Sequence, residues 1–422
     1  MAETQAWKQP LHRVRRILAK LWLKLNPQVK IIGITGSYGK TNTARAITIV
    51  LSEKFKTLQT DLNLDTIYNL PLTLLKLRPW HQVLVLEYGV DHQNEMDFHL
   101  NLVKPSVAVV TGINPTHSDS ELLGSLAGVI KEKSKLLEAL HSDGLAILNW
   151  DDKEVRKMAK KSRAPVWRYG TSPQGDFWAE DIKVDFSGTR FKLGYTKSSL
   201  RTKLCQIKTG LVGRHFVHEC LAAAAVGRKL GLDWEEIKRG LSLLEPLKGR
   251  MSLEKGPQGS TLINDVLRAN PASTMAGLQV LAELPASPEG GPTKGRRIAV
   301  LGEMGELGTL AERSHREVGK QVAGLKIDYL VAVGPLQKFV AEEAKKGGMR
   351  PEKVFWVKDV HQAAKALEKI LKKGDLVYLK GSLLRHLERV LLLLNQRKVG
   401  CRKTICHHYH PCSTCPELQT GL

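Results

Sequence analysis

The segment between residues 30 and 51 constrains the fold of this chain more than any other. A β-branched apolar run leads into a glycine-punctuated turn that ends in Gly39-Lys40-Thr41, and apolar residues at helical spacing follow. A strand, a glycine-rich loop and a helix start in this order form a phosphate cradle, because loop N–H groups and the helix N-terminus face the anion. Lys40 supplies a mobile positive charge, and the Thr41 hydroxyl can hold Mg²⁺. The pattern predicts nucleotide contacts at Thr35, Gly36, Ser37, Tyr38, Gly39, Lys40, Thr41 and Asn42.

The chain carries a large positive charge. It has 422 residues, with 64 Lys and Arg against 42 Asp and Glu, and 42% of the residues are hydrophobic. The length suggests two or three domains, and the charge favours nucleotides, phosphorylated substrates, nucleic acid or an anionic membrane surface as partners. The basic residues are spread along the chain, which argues against a dedicated nucleic-acid arm. We recognise no signal peptide and no bilayer-spanning apolar run, so we expect a cytoplasmic protein.

Residues 7–26 have the pattern of a basic amphipathic helix that ends near Pro27. Apolar side chains recur on one face, with basic side chains around it; that face holds Leu11, Val14, Leu18, Leu21 and Leu25. Such a helix lies on a membrane surface or docks a partner, which would place the protein at the inner membrane surface. The alternative is a helix that packs on the next domain and leaves a basic face in water. The sequence leaves both interpretations open.

From residue 29 onward, buried-strand patterns alternate with helical patterns. In residues 29–246 we expect strands at 30–35, 82–87, 106–111 and 144–149, and helices at 41–55, 120–141, 152–161, 217–230 and 234–244. This alternation predicts an α/β P-loop domain with a central parallel sheet, and period-two patterning over 175–210 predicts a small antiparallel insert. A second alternation over 247–398 predicts a Rossmann-like C-terminal α/β domain, before a Cys/His-rich tail at 399–422.

Two polar residues follow buried strands of the first domain. Glu87 ends the apolar run 83–86, and His117 follows the strand that ends at Thr111. Ligands of open α/β sheets bind at the carboxyl ends of the strands. We therefore expect Glu87 and His117 beside the phosphate loop, where they would ligate Mg²⁺ together with Thr41. Taken by itself, His117 would be interpreted as a loop or capping histidine.

An ordered set of short motifs makes a family resemblance specific. The set comprises Tyr38-Gly39-Lys40-Thr41, Leu86-Glu87-Tyr88-Gly89-Val90, Thr111-Gly112-Ile113-Asn114-Pro115-Thr116-His117, Leu148-Asn149-Trp150-Asp151-Asp152, Gly213-Arg214-His215, Gly249-Arg250, Asp265 with Ala269-Asn270-Pro271, the segment 300–308, and Lys380-Gly381-Ser382. In this order the motifs resemble the Mur ligase family over about residues 29–396. The resemblance implies an ATP- and Mg²⁺-dependent ligase that forms an amide bond during cell-wall precursor synthesis.

The resemblance also implies a reaction and its residues. A carboxylate of a muramoyl peptide attacks the γ-phosphate of ATP, and an amine donor such as D-alanyl-D-alanine then displaces phosphate from the acyl phosphate. Lys40 and the loop amides would hold the β- and γ-phosphates, and Arg250 would reach the γ-phosphate when the domains close. Lys133 falls at the position of a helical lysine that is carbamylated in the family. With Lys131 and Lys135 beside it, the sequence without the resemblance would suggest a solvated helix face. His215 and Asp265 would be further ATP contacts.

Three departures from the family pattern bear on the substrates. Members have a sizeable N-terminal domain for the UDP-sugar, whereas about 28 residues precede the loop here. We therefore expect that pocket to be missing, shared with another subunit, or replaced by contacts to another carrier. Phe216 and Glu219 stand where the family has two Asn near the adenine, which puts those contacts in doubt. Arg268 is a departure in the Asp265–Pro271 motif that could bind a substrate carboxylate, and Asn270 and Lys380 are the other expected substrate contacts.

The tail is dense in soft metal ligands. Its cysteines are Cys401, Cys406, Cys412 and Cys415, of which the last pair has the C-x2-C spacing of a zinc knuckle, and His407, His408 and His410 offer alternative ligands. In a cytosolic chain this density favours a structural Zn²⁺ site. A disordered tail is the alternative.

Two alternative functions remain at this stage. One keeps the chemistry and changes the carrier: a ligase-like subunit that works with a glutaminase partner and amidates a lipid-linked muramoyl peptide at the membrane. The other is a nucleotide-gated nucleic-acid binder that uses the basic surface and the tail. The second alternative leaves Glu87, His117 and the 302–308 motif without a role.

Overall fold

The computed structural model describes residues 8–61, 66–115, 118, 122–197, 200–285, 295–408 and 411–420. The chain divides into two compact units. The first comprises Met1–Lys183, Arg190–Thr209 and His215–Leu244, and the second comprises Val184–Thr189, Gly210–Arg214 and Glu245–Leu422. The domain boundaries expected from the sequence remain predictions.

The first unit is built on a nine-stranded sheet in the order β2-β3-β1-β4-β5-β6-β7-β8-β9. The strands are β1 (Lys30–Thr35), β2 (Thr57–Gln59), β3 (Val83–Glu87), β4 (Val107–Val110), β5 (Leu145–Asn149), β6 (Val166–Gly170), β7 (Phe177–Asp185), β8 (Gly188–Lys197) and β9 (Leu200–Thr209). The helices are α1 (Lys8–Lys24), α2 (Lys40–Ser52), α3 (Thr66–Leu75), α4 (Glu95–Leu100), α5 (Leu126–Glu138), α6 (Lys153–Met158), α7 (Phe216–Lys229) and α8 (Trp234–Ser242).

Strand β1 lies at the centre of the parallel part of this sheet. It pairs in parallel with β3 on one side and β4 on the other, so that Ile34 is opposite Glu87 and Thr35 is opposite Val110. The apolar residues of β3 and β4 are buried, as expected for parallel strands that are covered on both faces. This register brings the loop after β1 and the end of β3 to the same edge.

A two-residue connection joins β7 to β8, which requires an antiparallel pair.

The second unit contains a six-stranded sheet in the order β10-β11-β15-β12-β13-β14. Its strands are β10 (Ser252–Lys255), β11 (Thr261–Asp265), β12 (Arg297–Gly302), β13 (Tyr329–Val333), β14 (Val354–Val357) and β15 (Leu376–Lys380). Its helices are α9 (Pro271–Glu283), α10 (Ala311–Gly324), α11 (Gln337–Lys346), α12 (Val360–Ile370) and α13 (Glu388–Leu394). All strand pairs are parallel except β10–β11, which is antiparallel.

The predicted α/β fold class is confirmed, and most predicted elements end within a few residues of the observed ones. Strands β2, β6 and β10 were not predicted. β2 has three partly buried residues, and the first three residues of β6 are also only partly buried, so neither shows a continuous apolar run. The helix expected at 120–141 is observed as α5, which begins after Ser125, whose hydroxyl accepts a hydrogen bond from Gly128 N.

The predicted N-terminal helix is present as α1, but its most apolar face is not the one that packs. Ala19 is fully buried, and Trp22 Nε1 donates to the carbonyl of Leu77 at 3.0 Å. The opposite face is 51–72% exposed at Leu11, Val14, Ile17, Leu18, Leu21 and Leu25. Among the residues that the structure describes, no helix is long and apolar enough to span a membrane.

Candidate active site

The loop between β1 and α2 has the backbone geometry of an anion cradle. Gly39 precedes the first residue of α2 with a left-handed φ of 76°, which glycine adopts without strain. A Cβ at Gly36 would lie 2.1 Å from Thr111 Oγ1, so the close approach of the two segments requires glycine there. Ser37 N donates to the carbonyl of Gly112 at 2.7 Å and holds the loop against the segment after β4. The first N–H groups of α2 therefore face the cradle.

Lys40 and Thr41 point back toward this loop. Lys40 Nζ donates to the carbonyl of Gly36 at 2.7 Å, which holds the ammonium over the cradle. Thr41 Oγ1 donates to Glu87 Oε2 at 3.2 Å. The structure thus brings the predicted lysine, hydroxyl and carboxylate together at one edge of the sheet.

Asp152 is an anchor of the cradle whose role sequence reasoning did not identify, although its motif was noted. Its Oδ2 accepts hydrogen bonds from the Tyr38 hydroxyl at 3.1 Å and from Ile113 N at 2.8 Å. Its Oδ1 caps the N-terminus of α6. Burial, reinforced by the Asp152 carboxylate, raises the pKa of Tyr38, so this hydroxyl stays a neutral donor. Asp152 therefore fixes the loop after β1 to the loop after β4.

Glu87 places a carboxylate at the edge of the sheet where the sequence predicted a metal ligand. It is the last residue of β3, it is partly exposed, and its backbone N–H donates to Thr60 Oγ1 at 3.2 Å. His117, the other expected magnesium ligand, lies outside the described residues. A carboxylate and a hydroxyl are the oxygen donors that Mg²⁺ prefers, so Glu87 and Thr41 fit this ion.

Lys133 is buried to 1% exposure on α5, although its neighbours in sequence suggested a solvated face. Its Nζ donates to the carbonyl of Val90 at 3.3 Å. Burial and the positive charge of Lys40 hold the pKa of Lys133 well below its usual range, against the opposing pull of Glu95 and Asp91. A lysine with a depressed pKa has a large fraction of neutral, nucleophilic amine.

A group of polar residues near Lys133 went unnoticed in the sequence. Asp91, His92 and Glu95 can each place a ligand atom within 4.8 Å of the others. Glu95 Oε2 accepts from the backbone N–H of Asp91 at 2.8 Å and of His92 at 3.1 Å. Burial raises the pKa of Glu95 to about 7 despite these bonds. Asp91 directly follows the Leu86–Val90 motif, and this position in the sequence could have marked it as a residue of the site.

Helix α7 contributes two residues where the family has asparagines. Phe216 is 2% exposed, so its ring belongs to the core, and it lies tilted against His215 with the ring centroids 4.1 Å apart. Glu219 is 7% exposed, and burial raises its pKa to about 7. Its Oε1 lies 3.5 Å from where a Cβ of Gly39 would be, so the carboxyl is next to the phosphate loop.

The second unit contains three of the predicted site residues near one another: Arg250, Asp265 and Lys380. Lys380 Nζ donates to Asp265 Oδ2 at 2.6 Å, and the Tyr378 hydroxyl donates to the same oxygen at 3.3 Å. Burial, with a contribution from the positive charge of Arg250, lowers the pKa of Lys380 despite Asp265. Asn270 instead caps α9, with Oδ1 accepting from Ser273 N at 2.9 Å. The Arg268 side chain is exposed.

Among the described residues, the four tail cysteines are not grouped together as ligands of one metal ion. All six cysteines are free thiols. The Sγ of Cys401 lies 3.3 Å from Arg389 Nη1, and Cys406 N donates to the carbonyl of Leu384. Cys412 is grouped with His386 and Glu388 instead of with the other three cysteines, as judged over the described residues. His410 lies outside the described residues.

Two family models match most of the chain. Residues 34–227 match the model of the Mur ligase middle domain, and residues 249–383 match that of the Mur ligase glutamate ligase domain. The chain is similar to UDP-N-acetylmuramoyl-tripeptide–D-alanyl-D-alanine ligases. Identity is 33% with that of Escherichia coli, over 74% of this chain and 66% of the relative, and 31% with that of Bacillus subtilis, over 89% and 77%.

Solved structures of Mur ligases have the same fold as this chain. MurF from Acinetobacter baumannii superposes with a TM-score of 0.80 at 28% identity, covering 92% of this chain and 81% of that one. The MurF ligase of Thermotoga maritima in complex with ADP has a TM-score of 0.77 at 23% identity, over 91% and 83%, and shows the shared fold. The chain spans 66% of the length of the E. coli relative and 77% of the B. subtilis one.

Proposed function

Because the chain belongs to the Mur ligase family, whose characterised members are ATP-dependent ligases, we propose that it forms an amide bond in peptidoglycan precursor synthesis. Its relatives are named for joining D-alanyl-D-alanine to a UDP-N-acetylmuramoyl tripeptide, and we assign the same two substrates to this chain. The tripeptide carboxylate attacks the γ-phosphorus of ATP and releases ADP. The dipeptide amine then adds to the acyl phosphate, and phosphate leaves as the tetrahedral intermediate collapses.

The observation that carries this proposal is the convergence of Lys40, Thr41 and Glu87 on the phosphate loop. Phosphoryl transfer needs positive charge and positioning around the γ-phosphate more than covalent participation by the protein. The Lys40 ammonium and the N-terminal amides of α2 supply the charge, and Thr41 and Glu87 would hold Mg²⁺. When bound, Mg²⁺ neutralises developing phosphate charge.

Lys133 supports the same assignment. Its buried amine has a depressed pKa, and a neutral amine is the form that adds to CO₂. We propose that Lys133 is carbamylated and so presents an anionic oxygen ligand in place of a neutral amine. The charge of Lys40 contributes to the low pKa of Lys133, which supports a role for Lys133 near the phosphate loop.

Residues of the second unit would serve the amine donor. A dipeptide donor carries a free carboxylate, and a guanidinium binds a carboxylate with two parallel hydrogen bonds. Arg268 is exposed on the segment that follows β11, which suits it for this contact. Arg250 and the buried Lys380–Asp265 pair lie near the same strand end.

Product formation tests the proposal. Purified full-length chain is incubated with MgATP, UDP-N-acetylmuramoyl tripeptide and D-alanyl-D-alanine, and ADP, phosphate and the pentapeptide product are quantified. We expect ADP release that needs both substrates and falls by roughly 10²–10⁴-fold in Lys40→Ala. Lys54→Ala, which alters an exposed lysine just after α2, is the control. Absence of turnover with this pair, and with a panel of other muramoyl peptides and amines, would overturn the assignment.

A second proposal concerns α1. Helix α1 contains no acidic residue and several basic ones, and its exposed apolar side chains lie at helical spacing. A basic helix with an exposed apolar face binds anionic membrane surfaces by combining apolar burial with charge attraction. We infer that α1 brings the protein to the inner membrane surface, which would suit a lipid-linked muramoyl peptide as carrier.

Vesicle sedimentation tests whether α1 binds a membrane. We expect the full-length chain to sediment with vesicles containing anionic phosphatidylglycerol and much less with neutral phosphatidylcholine vesicles. Leu18→Glu and Leu21→Glu should release it, whereas Leu243→Glu, at a residue 59% exposed elsewhere, should not. Equal sedimentation of all variants would contradict membrane binding by α1 and leave the UDP-linked carrier.

A further inference from the structure

We propose that His386, Glu388 and Cys412 bind a Zn²⁺ ion that fastens the C-terminal tail to the second unit. By tail we mean the described residues 399–408 and 411–420. This site is separate from the phosphate loop and does not depend on the proposed ligase reaction. It also differs from the four-cysteine set that the sequence suggested, because His386 lies just before α13 and Glu388 is the first residue of that helix.

The three side chains converge from two distant parts of the chain. One ligand atom of each lies within 4.8 Å of the other two. His386 Nδ1 is 2.9 Å from Glu388 Oε1, and the backbone N–H of Cys412 donates to the same oxygen at 3.3 Å. In tetrahedral zinc sites the ligands stand about 2.0–2.3 Å from the ion. Small side-chain movements would therefore bring these atoms to coordination distance.

Burial makes the cluster a built site. His386 is 1% exposed and Cys412 is 7% exposed. Among the described residues His386 Nε2 has no hydrogen-bond partner, and a buried ring nitrogen without a partner is costly. The backbone of His386 is held at a left-handed φ of 46°, which is uncommon for a residue other than glycine and clusters at functional positions.

Charge favours a divalent cation here. Glu388 contributes a carboxylate to the cluster, and Cys412 contributes a thiol. Binding of Zn²⁺ would displace the thiol proton to solvent, and the two anionic ligands would then balance the charge of the ion.

The donor set selects zinc over the other common cations. A thiolate with an imidazole and a carboxylate is a borderline-soft set, which Mg²⁺ and Ca²⁺ bind poorly and Zn²⁺ binds well. Cys412 opens a short 3₁₀ turn that ends at Cys415, and it packs with Val399 and Leu418 in a small apolar cluster. A metal at Cys412 would therefore fix the tail to the start of α13.

Metal titration of the full-length chain tests this inference. After chelation and desalting, the chain is titrated with CoCl₂, whose thiolate charge-transfer band reports a cysteine ligand, and then with ZnCl₂ in competition. We expect about one metal ion per chain, as for a structural zinc site. His386→Asn and Cys412→Ser should each weaken binding by at least about tenfold, since each removes one ligand. Asparagine tolerates the left-handed backbone of His386, so this variant isolates the loss of the imidazole.

Cys406→Ser is the matched control, because it removes a tail thiol outside the cluster. If it weakens binding as much as Cys412→Ser, the ion is held by the tail cysteines and the proposal is wrong. If the unsubstituted chain binds Co²⁺ and Zn²⁺ no better than Cys412→Ser, the cluster is a metal-free hydrogen-bonded anchor, and the proposal is equally wrong. Retained ADP binding by each variant shows that the chain is folded. A ligase assay that fails while Zn²⁺ binds would affect only the proposed function.

Discussion

Thr41 Oγ1 donates a hydrogen bond to Glu87 Oε2 at 3.2 Å. The contact joins the first turn of α2 to the last residue of β3. It depends on the parallel register that sets Ile34 opposite Glu87, because this register brings both side chains to the same edge of the sheet. A hydroxyl and a carboxylate held this close to a phosphate cradle can share one hard cation.

The first prediction concerns the charge at Glu87. Glu87→Gln keeps the size of the side chain and an accepting oxygen for Thr41 but removes the negative charge. We expect kcat/KM for MgATP to fall on the order of 10–100-fold, with half-maximal activity at higher Mg²⁺, because a metal ligand is weakened. Initial rates of ADP release over a Mg²⁺ titration measure this. Glu53→Gln, at a carboxylate paired with Arg239 just after α2, should leave the titration unchanged; an equal shift in both variants would contradict a metal role for Glu87.

The second prediction concerns carbamylation of Lys133. Burial and the charge of Lys40 depress the pKa of Lys133, so a neutral amine is available to CO₂ at neutral pH. We expect activity to decline in CO₂-depleted buffer and to return with bicarbonate. A carbamate signal should appear in NMR spectra of protein supplied with ¹³C-bicarbonate.

Lys133→Met should abolish both the signal and the turnover. Lys131→Met is the control, since Lys131 lies two residues away on the exposed face of α5 and should retain both. A carbamate signal that persists in Lys133→Met would assign the modification to another lysine.

The sequence predicted the parts of the fold that depend on local patterns. The apolar runs before Gly36 and Glu87, and the helical spacing after Lys40, correctly predicted β1, β3 and α2. Parallel strands present their carboxyl ends at one edge of the sheet, and this rule predicted that the residues at the ends of β1 and β3 lie close together. Thr41 and Glu87 could be paired on this basis before the structure was known.

Features that depend on tertiary packing were not predictable. Lys133 looked like one of several solvated lysines, and its burial becomes visible only when α5 packs on the sheet. The apolar face of α1 correctly indicated a helix, yet Trp22 and Ala19 on another face make the contacts. Cys412 meets His386 across 26 residues of chain, a juxtaposition that cysteine spacing alone does not reveal.

The third prediction concerns the pH dependence of stability at Glu219. Burial raises the pKa of Glu219 from 4.5 to about 7 in the folded chain. The folded state therefore binds more protons than the unfolded state between these pH values, so stability falls as pH rises from about 4.5 to about 7 and the loss is complete above it. At 1.36 kcal/mol per unit the shift corresponds to about 3 kcal/mol.

Glu219→Gln removes the ionisable group and keeps the shape. We expect this variant to unfold at a higher temperature than the parent chain at pH 8 and to lose this advantage at pH 5. Thermal unfolding of both proteins across this range measures the difference. Glu235→Gln, at an exposed carboxylate on α8, should follow the parent chain; a Glu219→Gln advantage that is independent of pH would contradict a titrating Glu219.

The fourth prediction concerns the buried pair Lys380–Asp265. Lys380 is 3% exposed, and its Nζ lies 2.6 Å from Asp265 Oδ2. Lys380→Met fills the same space but leaves a buried carboxylate whose remaining partner is the Tyr378 hydroxyl at 3.3 Å. Breaking one side of a buried pair costs about 3–5 kcal/mol, whereas replacing both partners by apolar residues costs far less. In urea unfolding we therefore expect Lys380→Met to be much less stable than the double variant Lys380→Met/Asp265→Leu. Additive losses in this double-mutant cycle would show that the two side chains do not interact energetically and would leave Lys380 free for a role in substrate binding.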